Sequence, residues 1–176
     1  MPDHPWPQRM WEFLLNHYSD SRPSVVVELG TAGGDWADGF MTNVGAKLFF
    51  SIDTMPKSKW LNKWVGRMRP YPKATLIVST TYDAAQWFHI PIDLLFIDAD
   101  HEFDSVYEDL CNWWPKLKPG GLLLGHDWQI PSVEQAARLF FGDLGVTPAI
   151  ADFGPHKRRR SYWVRKGGGD IADQGI

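Results

Sequence analysis

Acidic side chains close the apolar runs of this sequence. Val25-Val26-Val27-Glu28-Leu29 is a β-branched run carrying Glu28, and it breaks into Gly30-Thr31-Ala32-Gly33-Gly34. The next apolar run, Leu48-Phe49-Phe50-Ser51-Ile52, ends in Asp53. Ile92-Asp93-Leu94-Leu95-Phe96-Ile97 ends in Asp98-Ala99-Asp100-His101, and Leu122-Leu123-Leu124 runs into Gly125-His126-Asp127. Glycine lacks the Cβ that keeps a backbone away from a ligand. A loop of that kind beside a carboxylate that accepts from ribose hydroxyls fits a nucleoside lying across two neighbouring strand ends. The loop reads Gly30-x-x-Gly33-Gly34, which is not the dinucleotide fingerprint, and no Lys-Ser/Thr pair of a phosphate loop follows. Glu28 beside the loop disfavours a pyrophosphate, so the expected ligand is a nucleoside without phosphates. Asp98 and Asp127 end what should be adjacent strands, about 4.8 Å apart, close enough for two carboxylates to share a cation. Hard oxygen ligands with open water positions suit Mg²⁺, with Ca²⁺ or Mn²⁺ as alternatives.

The elements that must position these groups alternate in type. The sequence predicts an opening helix over Trp6–Asn16 and helices over Gly34–Asn43, Lys57–Arg69, Tyr82–Phe88, Asp104–Leu117 and Ser132–Leu144. Ser132 is read as an N-cap and Gly145 as the C′ residue of the last helix. Strands are predicted over Val25–Leu29, Leu48–Asp53, Thr75–Ser79, Ile92–Asp98 and Leu122–Asp127, with two more at Pro148–Asp152 and Ser161–Arg165. Repeated βα units imply an α/β fold: a Rossmann-like, doubly wound sheet of about seven mostly parallel strands with helices on both faces. Ligands of such sheets bind at the carboxyl ends of the strands, where these acids gather.

The chain of 176 residues suits one domain over 1–166, with the N-terminal helix in 1–20 and a Gly-rich, flexible tail over 167–176. A net charge of −3 gives no reason to expect nucleic acid or an anionic membrane surface as a partner. Cys111 is the single cysteine, which excludes an internal disulfide, fits a reducing cytoplasmic setting, and is read as a buried, inert thiol. Residues 1–8 are polar and proline-rich, without the apolar core of a signal peptide, and no run reaches the length of a membrane span.

Taken together, the motifs resemble the class I S-adenosylmethionine-dependent methyltransferases. Glu28-Leu29-Gly30-x-x-x-Gly34 followed by Asp53 looks like their first two motifs. Ile92 to His101 looks like the fourth motif of small-molecule O-methyltransferases, and Trp113 to Trp128 is similar to the bacterial branch with macrocin-type sugar and cephalosporin-biosynthesis enzymes. The resemblance implies that Gly30, Thr31, Ala32, Gly33 and Gly34 cradle the methionine part of S-adenosylmethionine, with Glu28 near its amino group and Asp100 against its methionine end. It implies that Asp53 holds the ribose, while Ser79-Thr80-Thr81 replaces the acid that contacts adenine in relatives, leaving Thr80 as the group there. Related metal-dependent enzymes place acids at Asp98 and Asp127 with a third ligand adjoining the latter. Here that neighbour is His126 or Trp128, and imidazole favours softer metals. A histidine at the position of His101 resembles a general base, which imidazole can be near neutral pH.

The expected reaction is therefore methyl transfer to a hydroxyl of a small molecule, with Asp98 and His101 as the catalytic pair and Asp98, Asp127 and His126 around a divalent cation. Two rivals stand beside it: a metal-independent N- or C-methyltransferase, and a non-catalytic protein that binds S-adenosylmethionine. A second copy of the chain is an expected partner at the open end of the sheet. His4, His17, His89 and His156 read as structural or exposed, and Lys157-Arg158-Arg159-Arg160 as a solvated hairpin tip. Trp60, Trp64 and Trp128 are candidate walls of an acceptor pocket.

Overall fold

The structure, a computed structural model, describes residues 6–153 and 160–167. The elements run α1 (Gln8–His17), β1 (Val25–Leu29), α2 (Asp35–Asn43), β2 (Leu48–Asp53), α3 (Ser58–Met68), β3 (Ala74–Val78), α4 (Thr81–Trp87), β4 (Ile92–Ile97), α5 (Phe103–Trp113), a 3₁₀ turn (Trp114–Lys116), β5 (Leu117–Gly125), α6 (Pro131–Asp143), β6 (Ala149–Asp152) and β7 (Arg160–Arg165). The strands form a seven-stranded sheet in the order β3-β2-β1-β4-β5-β7-β6. The β1–β2, β1–β4, β2–β3 and β4–β5 pairs are parallel, and β7 joins antiparallel to β5 and β6. This is the doubly wound, Rossmann-like sheet the sequence predicts.

Each apolar strand feeds two layers, because successive side chains leave opposite faces. Val27, Leu29, Leu95, Ile97, Leu123 and Val164 pack against α4, α5 and α6. Val26, Phe49, Leu94, Phe96, Leu124 and Trp163 pack against α1, α2 and α3. All five residues of β1 are buried, as a central parallel strand covered on both faces must be. The strand order reverses between β1 and β4, so the crevice beyond their carboxyl ends is the topological switch point where such sheets bind ligands.

Four local expectations are corrected. Helix α5 stops at Trp113, short of Leu117, because Pro115 cannot continue the α-helical ladder and the chain tightens into the 3₁₀ turn. Strand β5 then starts at Leu117 and carries Pro119-Gly120-Gly121 within it, the register slipping where Ile92 faces Leu117 and Leu94 faces Leu122. Ser132 does not cap α6: Pro131 takes the first helical position, Ile130 is the N-cap, and the Ser132 hydroxyl instead donates to the His101 carbonyl at 2.5 Å. Cys111 is exposed, not buried. Gly145, at φ 69°, has the left-handed conformation of a C′ glycine.

Residues 1–5, 154–159 and 168–176 lie outside the described residues. They include His4, His156, most of the basic run from Lys157 and nearly all of the predicted tail; Arg160 opens β7. Among the described residues, no helix is long and apolar enough to cross a membrane.

Candidate functional site

The loop after β1 is held by backbone demands before any ligand is considered. Gly30 has φ 80°, and a Cβ there would sit 2.2 Å from the Asp98 carbonyl oxygen, so only glycine lets β1 and β4 end this close together. Ala32 adopts φ 44°, a left-handed conformation that a residue with a Cβ enters at a cost. Asp53 holds that conformation: one carboxylate oxygen accepts from the Thr31 and Ala32 amides at 3.1 and 2.8 Å, and the other from the Met55 amide at 2.6 Å. A carboxylate has about four acceptor positions, so Asp53 keeps about one for a ligand hydroxyl.

Glu28 sits one strand deeper, 1% exposed. The Trp64 indole N–H donates to the Ser51 hydroxyl at 3.0 Å, and that hydroxyl donates to Glu28 Oε2 at 2.8 Å. Burial outweighs the Thr31 and Ser51 hydroxyls and pushes the Glu28 carboxyl up to about 8.

These residues open onto a cavity of about 1050 Å³. Glu28, Gly30, Thr31, Ala32 and Asp53 line it, together with Thr80, Asp98, Asp100 and His126. Thr80 caps α4, its hydroxyl accepting from the Asp83 amide at 3.0 Å. Asp100 is turned toward the start of α5: it accepts from the Ser105 hydroxyl at 3.0 Å and from the His101 amide at 2.7 Å, and the Ser105 bond leads the effects that hold its carboxyl low. Gly33 and Gly34 do not line the cavity. A Cβ on Gly34 would meet the Trp64 ring at 2.9 Å and one on Gly33 would meet Lys63 at 3.2 Å, so both glycines seat α3 against the loop. Of the tryptophans singled out by sequence, Trp60 lines the cavity, while Trp64 and Trp128 are buried in the two core layers.

The second group forms where β4 and β5 end. Parallel pairing of Ile97 with Gly125 brings Asp98 and the His126-Asp127 pair together. Asp127 adopts φ 57°, and Gln129 donates to its Oδ1 at 2.5 Å while accepting from the Arg160 amide at 3.1 Å, which ties the turn to β7. Asp127 Oδ2 then lies 2.8 Å from His101 Nε2 and 3.1 Å from His126 Nδ1. Asp98 Oδ1 lies 3.4 Å from His126 Nδ1 and 3.9 Å from His101 Nε2. Ligand atoms of Asp98, His101 and Asp127 all fall within 4.8 Å of one another, a spacing that fits a shared divalent ion. Burial opposes charging of His126, but the Asp127 and Asp98 carboxylates overcome it and raise its imidazole to about 9. His101 is raised as well, chiefly by Asp98.

Several participants escaped the sequence reading. Trp6 lines the cavity and meets the His126 ring edge-on at 4.9 Å; its distance along the chain gave no signal. Gln129 fixes Asp127. Glu108 and Asp109 line the cavity from α5. Asp109 falls on the buried face with Val106, Leu110 and Trp113, so helical spacing did carry its signal, and burial raises its carboxyl to about 6. His17 and His89 are outside the site: His17 faces Arg165 at 2.7 Å, and His89 is exposed.

A family model described as a methyltransferase domain matches residues 27–128. Solved structures with the same fold include the N-methyltransferase NodS from Bradyrhizobium japonicum with S-adenosyl-L-homocysteine, 15% identical, covering 95% of this chain and 90% of that one with a TM-score of 0.68. An O-methyltransferase from Bacillus cereus in complex with the same ligand is 15% identical, with coverages of 94% and 84% and a TM-score of 0.71. An rRNA methylase from Streptococcus thermophilus is 16% identical, with coverages of 90% and 94% and a TM-score of 0.68. No curated protein matches the sequence.

Proposed function

The chain belongs to the methyltransferase-domain family, whose match spans residues 27–128, and from that premise we propose that it moves a methyl group from S-adenosylmethionine to a hydroxyl of a small sugar-like or natural-product-like acceptor. The observation that carries this reading is that two groups line one cavity at one sheet edge: the loop with Glu28 and Asp53, and Asp98 with His126, with His101 and Asp127 against the latter pair. The motif spacing supports the sugar O-methyltransferase branch, and the solved O-methyltransferase with the same fold is consistent with it.

The sulfonium ligand supplies a methyl already activated for transfer, so the protein's main task is positioning. Asp53 accepts from a ribose hydroxyl with the one acceptor position its three amide donors leave free. Thr80 and Asp100, which both line the cavity, are assigned to the adenine side and to the methionine end respectively. Glu28 lies opposite the ammonium. Asp98, Asp127 and His126 would hold a divalent cation, which lowers the pKa of a nearby hydroxyl. His101, whose side chain is 44% exposed, takes the acceptor's proton, and Asp127, 2.8 Å from its Nε2, steadies the imidazolium that results. His101→Ala is expected to lower turnover about 100-fold or more while S-adenosylhomocysteine affinity by calorimetry stays within about twofold. Unchanged turnover removes His101 from the mechanism.

A second reading rests on one observation. Among the described residues, every charged group lining the cavity apart from His126 is an acid, and no Lys or Arg lines it. That lining favours a cationic acceptor and hence transfer to nitrogen without a metal. Activity on amines that survives EDTA selects this reading over the first.

A further inference from the structure

The nitrogen atoms of the Asp98–Asp127 cluster are placed as ligands rather than as hydrogen-bond partners. His126 Nδ1 is 3.4 Å from Asp98 Oδ1 and 3.1 Å from Asp127 Oδ2, and His101 Nε2 is 2.8 Å from Asp127 Oδ2. Despite these distances, neither nitrogen has an aligned hydrogen bond, and His126 Nε2 has none either. These nitrogens thus stand at contact distance from the carboxylate oxygens without being bonded to them. Donors about 2.1 Å from one ion stand about 3.0 Å apart at right angles and about 3.4 Å apart in a tetrahedron. The two His126 contacts match that range.

The orientation of His126 is also built in. Its side chain is only 11% exposed. Trp6 meets the ring edge-on at 4.9 Å, and Phe96 lies at 6.5 Å beneath it. Asp127 is fixed from behind by Gln129, which leaves Oδ2 to face the imidazoles. The His101 side chain is 44% exposed, four times as much as that of His126.

An imidazole nitrogen among carboxylates changes which ion the site prefers. Mg²⁺ and Ca²⁺ take oxygen donors and gain little from imidazole, whereas Mn²⁺, Fe²⁺, Co²⁺ and Zn²⁺ bind it well, in rising order of affinity toward the later metals. We propose that Asp98, Asp127 and His126 form a mixed nitrogen–oxygen site that selects a first-row transition dication over Mg²⁺ and Ca²⁺, with His101 left free as the base. This deepens, and rests on, the reading that a cation assists the transfer.

The test is metal binding to the whole chain, with no turnover needed. Co²⁺ and Mg²⁺ are titrated separately by calorimetry, and the visible absorption of bound Co²⁺ reports nitrogen coordination. The expected result is one equivalent of Co²⁺ bound at least about 100-fold more tightly than Mg²⁺. His126→Ala should cost at least about tenfold in Co²⁺ affinity and shift the Co²⁺ spectrum, whereas His101→Ala should keep both. His126→Asp should narrow the gap between the two ions. S-adenosylhomocysteine binding to each variant confirms that it is folded. Equal affinities for Mg²⁺ and Co²⁺, or Co²⁺ affinity that depends on His101 and not His126, overturns the selectivity while a cation-assisted transfer survives. Binding of neither ion overturns both readings.

Discussion

Glu28→Gln tests whether the carboxyl at the heart of the cavity is neutral before any ligand arrives. Burial carries the Glu28 carboxyl from 4.5 up to about 8. In the unfolded chain this group ionises near 4.5, so between that pH and 8 the folded state holds a proton that the unfolded state has released. Stability therefore falls as pH rises through this window, by about 1.4 kcal/mol per unit. The contribution is fully present below pH 4.5 and is lost by about pH 8, a total of about 5 kcal/mol and about 3 kcal/mol by pH 7. Glutamine keeps an acceptor for the Ser51 hydroxyl at 2.8 Å and removes the titration. Urea unfolding followed by tryptophan fluorescence from pH 5 to 8.5 should show the variant gaining steadily on the wild type. The same shift has a functional consequence, because a cationic amine seated against Glu28 favours the ionised form. Binding of S-adenosylmethionine to the wild type at pH 6.5 should release close to one proton, read as a dependence of the calorimetric enthalpy on the buffer's own ionisation enthalpy. The variant should release none. Unfolding curves that stay parallel between pH 5 and 8 would refute the protonated carboxyl and the proton release with it.

Asp53→Ala removes the acceptor of three backbone amides, those of Thr31, Ala32 and Met55, and should weaken S-adenosylhomocysteine binding at least tenfold by calorimetry, at roughly 1.5–3 kcal/mol per charged hydrogen bond lost. An unaltered affinity counts against the ribose site. Gly30→Ala places a Cβ 2.2 Å from the Asp98 carbonyl at φ 80°, and should lower the unfolding free energy by about 2 kcal/mol or more, with loss of both ligand and Co²⁺ binding. Wild-type stability in that variant would mean that β1 and β4 do not meet as described.

Where apolar runs and their closing acids lie in one stretch of sequence, structure was legible: β1 and β2 fall on the predicted bounds, and β4 within one residue of them. The α5–β5 junction was not, because its outcome is decided at a distance. Pro119-Gly120-Gly121 reads locally as a breaker, but the Gly120 amide donates to the Lys166 carbonyl at 2.6 Å and the Lys166 amide to Gly121 at 2.9 Å, which draws the segment into the sheet. Site residues divide in the same way. Glu28, Asp53, Asp98 and Asp127 were visible because strand ends carry them to one edge. Trp6 was not, since its place over His126 depends on how α1 docks.

The glycine loop shows how one motif serves two ends. Read as sequence, Gly30 to Gly34 is a uniform cradle for a ligand. In the structure, Gly34 and Gly33 face α3, and Gly30 alone faces Asp98. The Gly30 amide donates to the Ile52 carbonyl at 2.8 Å, and the Asp98 amide to the Leu29 carbonyl at 2.9 Å. The backbone that would hold the sulfonium ligand is thus continuous, through β1, with the backbone that carries the first carboxylate of the histidine cluster. A methyl transfer needs the acceptor atom in line with the methyl carbon and the sulfur, with these parts held to fractions of an ångström. Here the distance between them is set by a parallel strand pair, whose spacing a side chain cannot change, and loops elsewhere are left to choose the acceptor.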